Sequence, residues 1–128
     1  MNNLWYQTLN KPPLTPPAAY FPTAWGILYT LMFLAFLLVL FQKNNKDKYI
    51  AINLFVLQLF FNLIWSYLFF GLKSIELALL DVILLLIAVI FTTIYFFRLS
   101  KPAGFLMIPY LLQVVFALYL NLGIQLLN

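Results

Sequence analysis

The sequence contains no cysteine and no histidine. These absences exclude disulfide frameworks, cysteine nucleophiles, histidine-based metal sites and every Ser-His-Asp catalytic arrangement. Charged residues are scarce as well, because they make up 8% of the chain, whereas an ordinary soluble domain carries about 25%. Seven Lys and Arg with three Asp and Glu are too few to cover a water-soluble core of this length. The composition therefore points to the membrane as the solvent.

Hydrophobic residues account for 66% of the 128 positions and form four long runs. A bilayer core about 30 Å thick requires about 20 apolar residues in a helix. The four runs lie at about 21–41, 49–70, 75–97 and 103–127, and short polar connections separate them. We therefore predict an all-α integral membrane bundle of four transmembrane helices, which form a single domain over residues 1–128.

The connections between the runs carry most of the basic residues. Three Lys lie in 42–48, one Arg and one Lys in 98–101, and one Lys in 71–74. The positive-inside rule predicts that loops 42–48 and 98–101 face the cytoplasm. The short length and the abundance of Asn, Lys, Ile and Leu indicate a bacterial cell membrane. Because the basic residues form no tract, nucleic acid is not an expected partner. The five prolines within 1–22 predict no secretory signal peptide.

Polar and aromatic side chains recur within the runs at steps of three and four residues, which places them on one face of each helix. They are Trp25, Tyr29 and Phe33 in the first run, Gln58, Asn62, Trp65, Ser66 and Phe69 in the second, Asp81 in the third, and Tyr110, Gln113, Ala117 and Asn121 in the fourth. Polar groups in hydrocarbon are costly unless they face other helices or a cavity. These faces are predicted to point inward, either as interhelical contacts or as the lining of a ligand site.

Three of these residues have other readings. Trp25 and Trp65 also suit an interfacial aromatic belt, although Trp65 lies about one turn deeper than such a belt requires. Asp81 also suits the first turns of a helix, where the helix dipole favours a negative charge. Pro109 removes a backbone N–H from the fourth run, and a kink is expected there.

The prolines at the N-terminus make segment 4–22 stiff, extended or turned, and unable to continue a helix. Trp5 and Tyr6 have amphipathic rings that suit the headgroup level, so one interpretation is a membrane-surface anchor. The other interpretation is a lid over the mouth of a cavity.

Five ordered motifs resemble those of the TspO family, also called tryptophan-rich sensory protein or translocator protein. They read Trp-Tyr-x-x-Leu-x-Lys-Pro-x-x-x-Pro-Pro at 5–17, Pro-x-Ala-Trp-x-x-Leu-Tyr at 22–29, Asn-Leu-x-Trp-Ser-x-x-Phe-Phe-Gly at 62–71, Ala-Leu-x-Asp at 78–81 and Pro-Tyr-Leu-x-x-x-x-Phe-Ala-x-x-Leu-Asn at 109–121. The motifs cover nearly the whole chain. A resemblance of this extent is far more specific than any single motif.

The resemblance implies a membrane pocket that binds porphyrins, and in animal members also cholesterol and benzodiazepine-type drugs, with the first loop closing over it. The motif positions that correspond to the family's ligand site are Tyr6, Pro17, Trp25, Asn62, Trp65, Asp81 and Ala117. The inward faces add Tyr29, Tyr110 and Gln113 as candidates. Porphyrin is expected as a ligand and not as a cofactor, and no catalytic or metal-binding residue is predicted.

The sequence departs from the family pattern in two ways. The family has five transmembrane helices, whereas four are predicted here. Either the true start of the protein lies upstream, or the pocket has an open wall that a second chain or lipid fills. Small residues at Ala88, Thr92 and Ala103 offer points of close approach for a homodimer. Gln113 stands where many members have a tryptophan implicated in light-dependent porphyrin breakdown. Gln113 therefore favours a non-enzymatic receptor or regulator over a porphyrin-degrading enzyme. The lack of an inverted repeat and the single acid away from a loop disfavour a transporter of tetrapyrroles or sterols.

Overall fold

The computed structural model describes residues 9–12 and 20–127, with side chains described from residue 23 onward in the helical part. The helices are α1 (Tyr20–Leu40), α2 (Lys46–Ser66), α3 (Ile75–Leu99) and α4 (Lys101–Leu127). Each is long and apolar enough to cross a membrane, and no strand occurs in these described ranges. The predicted all-α bundle of four membrane-spanning helices is confirmed.

Relative to the hydrophobic runs, α2 begins three residues earlier, α4 begins two residues earlier and α3 ends two residues later, whereas the starts of α1 and α3 agree within one residue. The reason is side-chain capping, because Asn45 Oδ1 accepts from Lys48 N at 2.8 Å and so starts α2 before the apolar run. Ser74 caps α3 in the same way, with Leu77 N donating to its Oγ at 3.3 Å. Hydropathy measures the apolar length, whereas the caps decide where the helix begins.

The four helices are not packed equally against one another. α3 packs extensively against both α2 and α4, while α1 packs mainly against α4 and touches α2 and α3 much less. The order around the bundle is therefore α1, α4, α3, α2. As a result, α1 depends on α4 for most of its packing.

Stacked phenylalanines fill the half of the bundle beside the 42–45 connection, which we call the stacked half. The ring of Phe55 on α2 lies 4.6 Å from that of Phe36 on α1 and 5.8 Å from that of Phe96 on α3, and both pairs are nearly parallel. Lys48 is buried here, and its Nζ donates to Leu40 O at 2.8 Å, to Gln42 O at 3.1 Å and to Asn44 Oδ1 at 2.9 Å. The ammonium thus caps the C-terminal end of α1.

At the opposite end, α2 continues into a π-helical turn, Tyr67–Gly71. Leu72 N donates to Tyr67 O and Ser74 N to Leu68 O, each at 2.9 Å, which closes the connection to α3. Lys73 has a φ of 55°, so this connection holds one non-glycine residue in the left-handed region. The wider turn brings Phe69 into the interior, where it is 2% exposed.

The small residues predicted to support a homodimer are buried between the helices of a single chain. Ala88 is 5% exposed, and Thr92 and Ala103 are completely buried. Thr92 Oγ1 also donates to Ala88 O at 2.7 Å, so its hydroxyl is satisfied within α3. Assigning these residues to contacts with a second copy was wrong, because their close approach is already used between helices of one chain. A homodimer stays a prediction, without these residues as its basis.

Candidate functional site

The carboxamide of Asn62 joins three helices in the interior of the bundle. Tyr29 OH on α1 donates to Asn62 Oδ1, and Asn62 Nδ2 donates to Tyr110 OH on α4 at 2.7 Å. Asn62 is 5% exposed and Tyr110 is completely buried, whereas Tyr29 is 38% exposed and so lies at the edge of the cluster. These three predicted site residues are brought together, and we call them the Asn62 cluster.

Trp25 packs against this cluster from α1. Its ring centroid lies 5.8 Å from that of Tyr29 and 6.2 Å from that of Tyr110, the second contact being edge-to-face. Because Trp25 is half-buried and in contact with interior rings, it does more than mark the membrane interface. Phe33, which continues the row of Trp25 and Tyr29 along α1, is 60% exposed and faces outward. Its predicted inward position was wrong.

A second junction lies toward the end of the bundle that holds the π-helical turn. Trp65 Nε1 donates to Asn121 Oδ1 at 2.9 Å, and Asn121 Nδ2 donates to Ile75 O at 3.1 Å. The Trp65 ring also stacks on Phe69, with centroids 5.1 Å apart. Asn121 was recognised on the inward face of its run but was not chosen as a site residue, although its spacing from Ala117 carried the signal.

Two buried side chains retain unpartnered oxygen atoms. Asp81 is 6% exposed, and its Oδ2 has no hydrogen-bond partner within the described ranges. Gln58 is completely buried, and although its Nε2 lies 3.8 Å from Met32 Sδ, its Oε1 is likewise unpartnered there. Gln58 lies one turn before Asn62 on the same face of α2. Sequence reasoning placed Gln58 on the inward face and omitted it from the candidate site.

The remaining candidates on α4 share one buried face. Gln113 is 8% exposed and Ala117 is 9% exposed, on the side of α4 that carries Tyr110 and Asn121. α4 continues through Pro109, which is exposed on the other side. The predicted periodicity of the fourth run therefore corresponds to a single continuous interior face.

The candidates Tyr6 and Pro17 lie outside the described residues. Residues 9–12 of the same segment are described, and Pro12 is buried against Gly123 of α4. A Cβ on residue 123 would lie 2.6 Å from Pro12 Cγ, so only glycine fits this contact without a shift. Leu9 packs beside Phe69 and Ile124, in the cluster that also contacts Trp65. Sequence reasoning missed Gly123, although a glycine inside a helix costs about 1 kcal/mol relative to alanine and is a signal of close approach.

The assembled site offers aromatic faces, amide groups and one buried carboxylate. A small number of oriented polar groups within an otherwise apolar and aromatic lining is typical of a site that binds a small molecule. The hydrogen bonds of the Asn62 cluster hold the rings of Tyr29 and Tyr110 in fixed positions, which would lower the entropic cost of binding a small molecule there.

Comparisons with known proteins agree with one another. The TspO/MBR family model matches residues 1–127. "Tryptophan-rich protein TspO" of Chlorobaculum tepidum is 43% identical over 127 residues, which are 97% of this chain and 79% of that protein. The protein of the same name from Archaeoglobus fulgidus is 40% identical over 124 residues, covering 97% of this chain and 80% of its own length. "Translocator protein" of Bos taurus is 33% identical over 119 residues, with coverage of 91% and 70%.

Proposed function

Since the chain belongs to the TspO/MBR family, we propose that it is a membrane receptor or regulator that binds a porphyrin, or a similarly flat hydrophobic molecule, between its helices. The chain is an integral membrane protein, with four helices that could span a bilayer in its described part. Loops 42–48 and 98–101 are proposed to face the cytoplasm because they carry most of the basic residues.

The observation that carries this proposal is the contact of Trp25 with the Asn62 cluster. Three aromatic rings from α1 and α4 surround one carboxamide from α2, and the hydrogen bonds of Asn62 fix two of them. Aromatic faces suit a flat ring system, since stacked and edge-to-face arrangements add about 0.5–1.5 kcal/mol beyond area burial. Polar side chains buried in hydrocarbon are costly, so a cluster of three is a candidate functional site as well as an interhelical contact.

The segment before α1 is proposed to act as the lid of this site. The contact of Pro12 with Gly123 anchors the segment at the end of α4. Leu9 lies in the same cluster as Phe69, which stacks on Trp65. Closure by this segment would exclude lipid and water from the bound molecule.

A non-enzymatic role is favoured by Gln113. This residue is buried one turn beyond Tyr110 on the inward face, so an amide occupies the place where a redox-active indole would be needed. A photo-oxidase is the second candidate, and the contact of Trp25 with Tyr29 and Tyr110 is the observation in its favour. Illumination of the porphyrin complex separates the two. The absorption spectrum of the bound porphyrin should be the same before and after illumination in a receptor, whereas a photo-oxidase should degrade the porphyrin and bleach the spectrum.

The proposal is tested by titrating the purified protein with protoporphyrin and following tryptophan fluorescence. Saturable quenching at micromolar ligand is expected, and Asn62→Leu should weaken binding about tenfold through loss of the hydrogen bonds that position both tyrosines. Phe33→Leu is the matched control, because Phe33 is exposed on α1 and outside the cluster.

An unsaturable response from protein that keeps its helical circular dichroism would contradict the porphyrin proposal. Equal weakening by Asn62→Leu and Phe33→Leu would contradict the assignment of binding to the Asn62 cluster.

A further inference from the structure

Two aromatic rings form an exposed corner where α3 ends and α4 begins. The ring centroids of Phe97 on α3 and Phe105 on α4 lie 5.0 Å apart in an edge-to-face contact. Gly104 permits the close approach of Phe97 to α4, because a Cβ at position 104 would lie 2.3 Å from Phe97 Cγ. Phe105 is 65% exposed and Phe97 is half-buried, so the pair presents an apolar surface on the outside of the bundle. We call these three residues the aromatic corner.

Two exposed basic side chains lie at the outer edge of the aromatic corner. Lys101 precedes Phe105 by four residues, so both lie on one face of α4, with Lys101 about 6 Å nearer the end of the bundle. Arg98 follows Phe97 in the last turn of α3. Because Arg98 and Lys101 are three residues apart in the chain, their Cα atoms are at most about 11 Å apart. Two side chains of this length can therefore reach one phosphate group between them.

The guanidinium of Arg98 is positioned by an aromatic ring of its own helix. Arg98 Cζ lies 5.1 Å from the ring centroid of Tyr95, which is a cation–π contact about one turn back on α3. Such a contact consumes none of the N–H donors of the guanidinium, which remain available for bidentate donation to a phosphate. A side chain that is already positioned loses less conformational entropy when it binds.

The acidic residues of the chain lie away from this basic pair. They are Asp47, Glu76 and Asp81. Glu76 lies in the first turn of α3, at the opposite end of that helix from Arg98, and Asp81 is buried in the interior. Asp47 lies in the first turn of α2 and has a lysine on either side. The charges of Arg98 and Lys101 are therefore available to an anion from outside the chain.

We propose that the aromatic corner binds one anionic phospholipid, with its phosphate between Arg98 and Lys101 and an acyl chain against Phe97 and Phe105. Basic pockets between transmembrane helices bind anionic headgroups in this way, whereas a zwitterionic headgroup brings a cation into the same field. The positive-inside rule accounts for basic residues in either connection at this end, but not for an exposed aromatic pair beneath one of them. The site shares no residue with the Asn62 cluster, so the inference is independent of porphyrin binding.

The test titrates the detergent-purified protein with phosphatidylglycerol and with phosphatidylcholine of the same acyl chains. Native mass spectrometry gives the fraction of protein that carries a lipid at each concentration. Phosphatidylglycerol should bind saturably and about tenfold more tightly than phosphatidylcholine, because two basic side chains face its phosphate. Equal affinities for the two lipids overturn the inference whatever the variants do.

A pair of double variants locates the preference. Arg98→Gln with Lys101→Gln should lower the preference for phosphatidylglycerol to about onefold. Lys43→Gln with Lys46→Gln is the matched control, because it removes the same charge from exposed positions at the same end of the bundle. The control should keep the preference within about twofold of wild type. Equal losses in the two double variants would show a diffuse attraction to the whole end and overturn the assignment to the aromatic corner.

Phe105→Ala tests the part of the inference that concerns the acyl chain. Loss of the exposed ring should weaken both lipids about threefold and leave their ratio unchanged, because the ring contacts the chain that the two lipids share. Phe91→Ala is the control, since Phe91 is also an exposed phenylalanine, at 50% exposure on α3. Unchanged binding in Phe105→Ala, or equal weakening in Phe91→Ala, overturns the placement of the acyl chain.

Discussion

The stacked half of the bundle and the half around the Asn62 cluster differ in how completely their polar groups are paired. In the stacked half, Lys48 has three acceptors, and the rings of Phe36, Phe55 and Phe96 pack face to face. Around the Asn62 cluster, Asp81 and Gln58 keep unpartnered oxygens within the described ranges. The chain thus combines a region optimised for packing with one that tolerates unfavourable burial, as binding sites commonly do.

The largest effect is expected from Phe96→Ala. Removing this completely buried ring from the stack should lower the free energy of unfolding by about 3 kcal/mol, through lost contacts and the cavity left behind. Unfolding titrations in mixed micelles measure the change. Protein that remains folded should bind protoporphyrin as wild type does, since Phe96 lies outside the Asn62 cluster to which binding is assigned.

Phe91→Ala is the control for Phe96→Ala, because Phe91 lies on the same helix and is 50% exposed. Its effect should stay within about 0.5 kcal/mol. Comparable losses at the two positions would remove the distinction between the stacked half and the rest of α3.

An intermediate effect is expected from Lys48→Met. The variant loses three hydrogen bonds from an ammonium to the end of α1, which should cost about 2 kcal/mol of unfolding free energy. The same titrations measure it, with Lys46→Met as the control because Lys46 is exposed in the first turn of α2. A Lys48→Met variant as stable as its control would show that the cap contributes nothing to the stacked half.

The smallest effect on stability is expected at the Trp65–Asn121 hydrogen bond. A double-mutant cycle with Trp65→Phe and Asn121→Leu should give a coupling free energy of about 0.6 kcal/mol, the average for interhelical hydrogen bonds in membranes. In the Trp65→Phe and Asn121→Leu variants, the free energy of porphyrin binding should change by more than the free energy of unfolding does. A coupling as large as the loss in Phe96→Ala would mean that both halves serve stability alike.

The helices could be predicted from sequence because a bilayer of fixed thickness imposes a minimum apolar length on every span. Several inward positions were also predictable, since steps of three and four residues place Asn62, Tyr110 and Asn121 on defined faces. Phe33 was misplaced because an aromatic ring is equally acceptable against lipid, so periodicity alone does not distinguish the two environments.

The sequence alone did not predict which residues contact one another between helices. The spacing of Ala88 and Thr92 indicates close approach but does not say whether the neighbouring helix belongs to the same chain. The Tyr29–Asn62 hydrogen bond depends on the order of helices around the bundle, which short connections do not determine. The contact between Pro12 and Gly123 joins positions separated by more than 100 residues, and no local pattern predicts it.

The dependence of α1 on α4 has a consequence for biosynthesis. α1 is translated before the other three helices described, yet its principal packing partner is the last of them. Tyr29 and Asn62 can pair once α2 is inserted, but Tyr110 joins them only after α4 leaves the translocon. The nascent chain therefore cannot complete the Asn62 cluster until α4 has been inserted.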